Sequence, residues 1–134
     1  MAIITNLKDM QIGDKISCEY IASSGSIGSF SNLGSATKAL ITTATSTSPN
    51  GSFYFIFVGY DHLGRMKLVA DRNIQRSINW DTINANGMTT GNVVNIDNKK
   101  YVIRLLSGGV NTNDKDNEWD KIISEYNLNG SITA

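Results

Sequence analysis

Phe53-Tyr54-Phe55-Ile56-Phe57-Val58-Gly59-Tyr60 is an unbroken run of aromatic and β-branched residues, the composition of a central strand buried on both faces. Asp61-His62-Leu63-Gly64 follows as a turn, with glycine where a left-handed residue helps. Arg65-Met66-Lys67-Leu68-Val69-Ala70 then returns as an alternating strand, Met66 and Leu68 on one face and Arg65 and Lys67 on the other. This hairpin decides the class of the chain. A strand this apolar aggregates if its edge stays free, so its partner is a neighbouring strand or another subunit of a homo-oligomer.

Upstream, Leu7 to Lys15 ends in a Gly13-Asp14 turn and feeds Ile16-Ser17-Cys18-Glu19-Tyr20-Ile21. There Ile16, Cys18 and Tyr20 alternate with Ser17, Glu19 and Ile21, the pattern of a half-buried strand with Cys18 inward. From Ala22 to Asn50 the chain is dominated by Ser, Gly and Thr. Large apolar residues recur at Ile27, Phe30 and Leu33, which flexible linkers do not carry. The segment therefore reads as an ordered long loop held by those three side chains. Ala39-Leu40-Ile41 reads as a short strand and Ser48-Pro49-Asn50-Gly51 as a turn.

Downstream, Trp80-Asp81-Thr82-Ile83-Asn84-Ala85-Asn86-Gly87 predicts a short helix near 81–86, capped by Asp81, stopped by Asn86-Gly87 and packing Trp80 and Ile83. A second hairpin joins Asn92–Ile96 to Tyr101–Leu106 through Asp97-Asn98-Lys99-Lys100. Trp119, Ile122, Ile123 and Tyr126 then fall on one face of an amphipathic C-terminal helix near 116–126. The sum is an α+β, mostly β chain: an antiparallel sheet or small sandwich or barrel with two helices. At 134 residues, one domain spanning 1–134 is the default.

Composition narrows the function. The formal net charge is zero, without the basic footprint that a phosphate backbone requires, so nucleic acid is not the expected partner. No apolar run is long enough to insert in a membrane as a helix. Met1–Thr5 lacks the basic flank and apolar stretch of a signal peptide, so synthesis in the cytoplasm is expected. Cys18 and His62 are each the single residue of their type, which excludes an internal disulfide and multi-thiolate or two-histidine metal sites. Ser, Thr and Asn together outnumber the acidic and basic residues combined, as expected for a turn-rich, helix-poor chain.

Three places carry chemistry. Asp61-His62 is the one carboxylate beside an imidazole, but adjacency in a turn supplies neither a nucleophile nor an orienting group, so His62 reads as a turn-tip surface residue. No nucleophile elbow, phosphate loop or dinucleotide fingerprint accompanies it, and a non-enzymatic role is expected. Asn111, Asn113, Asp114, Asp116, Glu118 and Asp120 form the densest set of oxygen ligands, a possible calcium site and the only cofactor the chain suggests. The spacing and glycine of an EF-hand loop are missing, and the plainer reading is a helix N-cap rich in acids. Trp80 with Asp81, and Trp119 with Asp120, pair a stacking ring with a hydroxyl acceptor, as a glycan-binding surface would. Core packing is the competing reading of both rings, most of all for Trp119 on the apolar helix face.

Gly13-Asp14-x-Ile16-x-Cys18-x-Tyr20, the Gly25–Leu33 stretch and Ala70-Asp71-Arg72-Asn73-Ile74-Gln75-x-Ser77-Ile78-x-Trp80-Asp81-Thr82 are three blocks of a wider pattern. Arg104-Leu105-Leu106-Ser107-Gly108-Gly109-Val110 and Asp114-Lys115-Asp116-Asn117-Glu118-Trp119-Asp120 complete it. Over almost its whole length the chain resembles proteins encoded in phages and prophages of Gram-positive spore-forming bacteria. The resemblance implies a tail-appendage or cell-surface protein, located on the virion or cell surface. Its expected partners are itself, other structural proteins of the appendage, or a cell-surface glycan. Longer members of that group continue past Asn129–Ala134 into a Trp- and Gly-rich, lectin-like segment. A short member, a truncation and one module of a longer protein are the alternatives left open. The leading expectation is a non-catalytic structural or host-surface-binding module. The alternative is a calcium-assisted carbohydrate-binding module of a secreted bacterial protein.

Overall fold

The computed structural model describes residues 2–42 and 46–105. The expected C-terminal helix near 116–126 lies outside them, as do Trp119 and all six acidic or amide residues of the calcium set.

Strand β1 (Lys15–Ile21) pairs antiparallel along its whole length with β3 (Asn50–Tyr60), Cys18 opposite Phe53 and Ile16 opposite Phe55. The other edge of β1 takes a short β2 (Ser29–Ser31), and the other edge of β3 takes β4 (Met66–Ala70). The resulting sheet has the order β2-β1-β3-β4 and curls into a half-barrel. The aromatic run is therefore an interior strand, paired within its own chain, and the predicted hairpin with β4 is present. Between Phe57 and Tyr60 the register shifts by one residue. Gly59 sits there at φ +104°, a backbone that side chains avoid, so the bulge falls where the run has its only interior glycine.

One face of the sheet collects the period-2 apolar residues. Cys18, Tyr20 and Phe53 are buried with Ile41, while Phe30, Leu33 and Phe55 pack against them. Phe53 meets Phe55 edge-on at 4.8 Å between ring centroids, and Phe30 lies 4.8 Å from Tyr20, contacts that add to plain area burial. Towards the other end, Met10, Ile16 and Phe57 form a second cluster with Leu7, Met66 and Leu68.

A two-stranded sheet closes over the first cluster. It joins β5 (Asn92–Ile96) to β6 (Lys99–Ile103); its inward residue Ile96 belongs to that cluster, and Val94 and Tyr101 pack against it. The turn is two residues, Asp97 at φ +53° and Asn98 at φ +67°. Positive φ at both positions matches the twist of a hairpin, and Asp and Asn tolerate it well. The expected four-residue turn shortens because Lys99 and Lys100 pair with Ile96 and Asn95.

Four further expectations change. Phe30 lies in a strand, β2, instead of a loop, because β1 offers it an edge. Asn50-Gly51 opens β3 and is no turn. Glycine is needed there because a Cβ would sit 2.7 Å from the Ala39 carbonyl oxygen and 2.9 Å from Ile41. Residues 39–41 form no regular strand but a parallel bridge between Leu40 and Ser52. Finally, helix α1 (Trp80–Ala85) is capped by Asn79, whose extended backbone lets its side chain accept from the Thr82 N–H at 2.7 Å. Asp81 falls inside the first turn instead. The helix buries no residue, so the expected packing of Trp80 does not occur.

Candidate functional site

The chain leaves β4 at Ala70 and runs through 71–79 to α1 without regular secondary structure. Two devices hold this segment. The first is Asp71, 1% exposed, whose carboxylate is gripped by Arg72: Nε donates to Oδ1 at 2.8 Å and Nη2 to Oδ2 at 2.7 Å. The Tyr54 N–H donates to the same Oδ1 at 3.1 Å, and the Lys15 ammonium lies 3.9 Å from Oδ2. Arg72 also donates to the Ile41 carbonyl. A buried carboxylate is tolerable only with this kind of saturation.

The second device is Gln75. Its Nε2 donates to the carbonyls of Ser26 at 2.8 Å, Thr47 at 3.1 Å and Ser23 at 3.2 Å. Its Oε1 accepts from the Tyr20 hydroxyl, which itself accepts from the Gly28 N–H. One carboxamide thus ties the Ser/Gly loop, the 46–48 bend and β1 together.

With Asp71 and Gln75 anchored, the side chains between and beyond them border an open cleft of about 290 Å³. Ile41 and Ile74 supply apolar wall, and Ser46, Asn73 and Arg76 supply polar groups. The Arg76 N–H donates to the Ser46 carbonyl, which sets the width between the two walls.

The other singled-out residues lie apart from this arrangement or outside the described residues. Trp80 is 60% exposed and Asp81 is exposed beside it. His62 is exposed on the β3–β4 turn. Asp61 does not orient it: Oδ1 accepts from the N–H groups of Leu63 and Arg65, and Oδ2 accepts from Arg65 Nε at 2.7 Å. The Arg65 N–H first of all, with its guanidinium, pulls the Asp61 carboxyl down to about 2. Burial pushes the Cys18 thiol up to about 12, so it is a packing residue with little thiolate at neutral pH. Among the described residues no three His, Cys, Asp or Glu side chains cluster as metal ligands.

On the hairpin, Val93 and Val102 are direct cross-strand partners, each 59% exposed, on the face turned away from the core. The sequence alternation places them there. The Asp71–Arg72 pair and the Gln75 tie carry no spacing signal of their own, although both lie in the Ala70–Thr82 block. No protein-family model, curated protein or solved structure matches this chain.

Proposed function

We propose that the chain is a non-catalytic structural or host-surface-binding module of a phage tail appendage or related surface protein. The observation that carries this reading is the Val93–Val102 pair. Two β-branched side chains stand together on the open face of a two-stranded sheet, where a partner surface would cover them. The resemblance to phage- and prophage-encoded appendage proteins supports the same reading. So does the locked state of the reactive groups, with Asp61 committed to its turn and Cys18 to the core. The partner in assembly is a second copy or a neighbouring structural protein.

Size-exclusion chromatography with light scattering tests this. The expected result is a mass above that of the monomer which returns to the monomer in Val93→Lys. A strict monomer that also fails to sediment with cell-wall material or glycan would remove the proposal's support.

A second reading, a calcium-assisted carbohydrate-binding module, draws on Trp80, an exposed indole with a carboxylate next to it. Melting with calcium and with chelator tests it, because a ligand that binds only the folded state raises the midpoint. Equal midpoints at millimolar calcium would eliminate the metal-dependent form.

A further inference from the structure

We propose that the cleft beside residues 73–76 binds one anionic sugar unit, a monosaccharide carrying a carboxylate or phosphate. This rests on the attachment reading above and names its ligand. At about 290 Å³ the opening sits at the small end of ligand sites, room for a single ring but not for an extended chain. Its wall is mixed as a sugar requires, with the half-buried Ile74 for the C–H face of a ring and Ser46 and Asn73 for hydroxyls.

The charge comes from Arg76. Arg72 and Lys15 are already committed to Asp71. Arg76 borders the cleft, and its guanidinium has no carboxylate partner among the described residues. A planar fork of donors is suited to carboxylate and phosphate oxygens. A second observation points to the same place. Ser77, directly after Arg76, holds φ +56°, a left-handed backbone that a non-glycine residue adopts at a cost and that collects at binding sites. The anchors on Asp71 and Gln75 hold the segment that forms this wall of the cleft.

The test is an amide-resolved NMR titration of the whole chain with glucuronate, glucose 6-phosphate, glucose and inorganic phosphate, each at millimolar concentration. The expected result is saturable shifts at Ser46 and Asn73–Ser77 with glucuronate or glucose 6-phosphate, and weaker ones with glucose. Whichever of the two acids binds more tightly identifies the anion. Arg76→Gln, a change at an exposed side chain, should weaken binding about tenfold or more, the worth of a charged hydrogen bond. Arg65→Gln, on the distant turn, should leave it unchanged. The proposal is overturned if neither acid shifts those amides. It is equally overturned if inorganic phosphate matches the sugars or Arg76→Gln binds as well as wild type. Attachment to cell-wall material that survives Arg76→Gln would sink this site while leaving the module reading intact.

Discussion

The Tyr20 hydroxyl donates to Gln75 Oε1 at 2.7 Å across 55 positions of sequence. That bond joins the C-terminal end of β1 to the segment that frames the cleft, and the same hydroxyl holds the Gly28 N–H at 2.9 Å. Tyr20→Phe keeps the ring in contact with Phe30 but removes both bonds. Loss of a buried partner of this kind costs about 1–3 kcal/mol. Urea denaturation should show that loss, with faster amide exchange at Gly28. Gln75→Ala should speed exchange there too, and the two changes together should cost less than their sum.

Asp71 should be among the most sensitive positions. Asp71→Ala leaves the Arg72 guanidinium and the Tyr54 N–H without their acceptor in a site that is 1% exposed. Breaking one side of a buried pair costs about 3–5 kcal/mol. Asp71→Asn, which keeps an acceptor for Tyr54, should cost less. Guanidinium melts of the two variants distinguish these outcomes, and equal stability of Asp71→Ala and wild type would refute the assignment.

Alkaline pH should destabilise the fold through Cys18. The thiol titrates at about 12 in the folded chain against 9.0 as its ordinary value, burial being the main cause. The folded state therefore holds its proton more tightly than the unfolded one. The stability linked to it is fully present below pH 9.0 and is lost as pH rises towards 12. Tyr20, also raised by burial, acts in the same direction. Denaturation midpoints should fall from pH 9 to 11, and less steeply in Cys18→Ala. In the native state a thiol reagent at pH 8 should react only on the timescale of unfolding.

The β3–β4 turn gives an acid-side counterpart. Asp61 titrates at about 2 against 3.8, with the Arg65 N–H as the largest favourable contact. Its contribution is present above pH 3.8 and is lost as pH falls towards 2. Carboxyl-detected NMR should place the midpoint near 2. Arg65→Ala should raise it only part of the way, because the backbone donor stays when the guanidinium goes. A full return to 3.8 would mean that the ion pair dominates.

The two-stranded sheet is fastened at its tip. Asp97 Oδ1 accepts from the Asn32 N–H at 2.9 Å and Oδ2 from the Leu33 N–H at 2.8 Å. Asn32 in turn donates to Glu19 Oε2 at 2.7 Å, so one loop bridges two carboxylates. Asp97→Ala should speed amide exchange at Asn32 and Leu33 and strain the turn, since alanine tolerates its φ of +53° poorly. Asp97→Asn should keep the turn and lose only part of the fastening. Unchanged exchange in both variants would show that the apolar contacts of Val94, Ile96 and Tyr101 suffice alone.

Local sequence encodes the structure that forms within a few positions. The Phe53–Tyr60 run, the alternation at Ile16–Tyr20 and at Met66–Leu68, and the Asp97-Asn98 turn each carry their own period or turn chemistry. Misreadings arise where local chemistry has two uses. Asn50-Gly51 has the composition of a turn, yet its glycine makes room for Ala39 and Ile41. Asp81 has the composition of a cap, yet Asn79 reaches the Thr82 N–H first. Glu19 sits on the strand face read as polar, yet it is 2% exposed because Asn32 and the sheet close over it.

The candidate site was legible only in part. The spacing of Trp80 reads equally as a stacking ring and as a packing residue, and only the fold shows that it is 60% exposed. The cleft at 73–76 was invisible, since its walls come from segments about thirty residues apart. The two hairpins and the short helix were determined by the sequence alone, because periodicity and turn preference act between near neighbours, whereas β2 formed only because β1 offered it an edge. The tertiary structure decided which carboxylates are buried, which carbonyls Gln75 collects and which segments border the cleft beside Arg76. Those outcomes depend on partners far along the chain, and no local pattern encodes them.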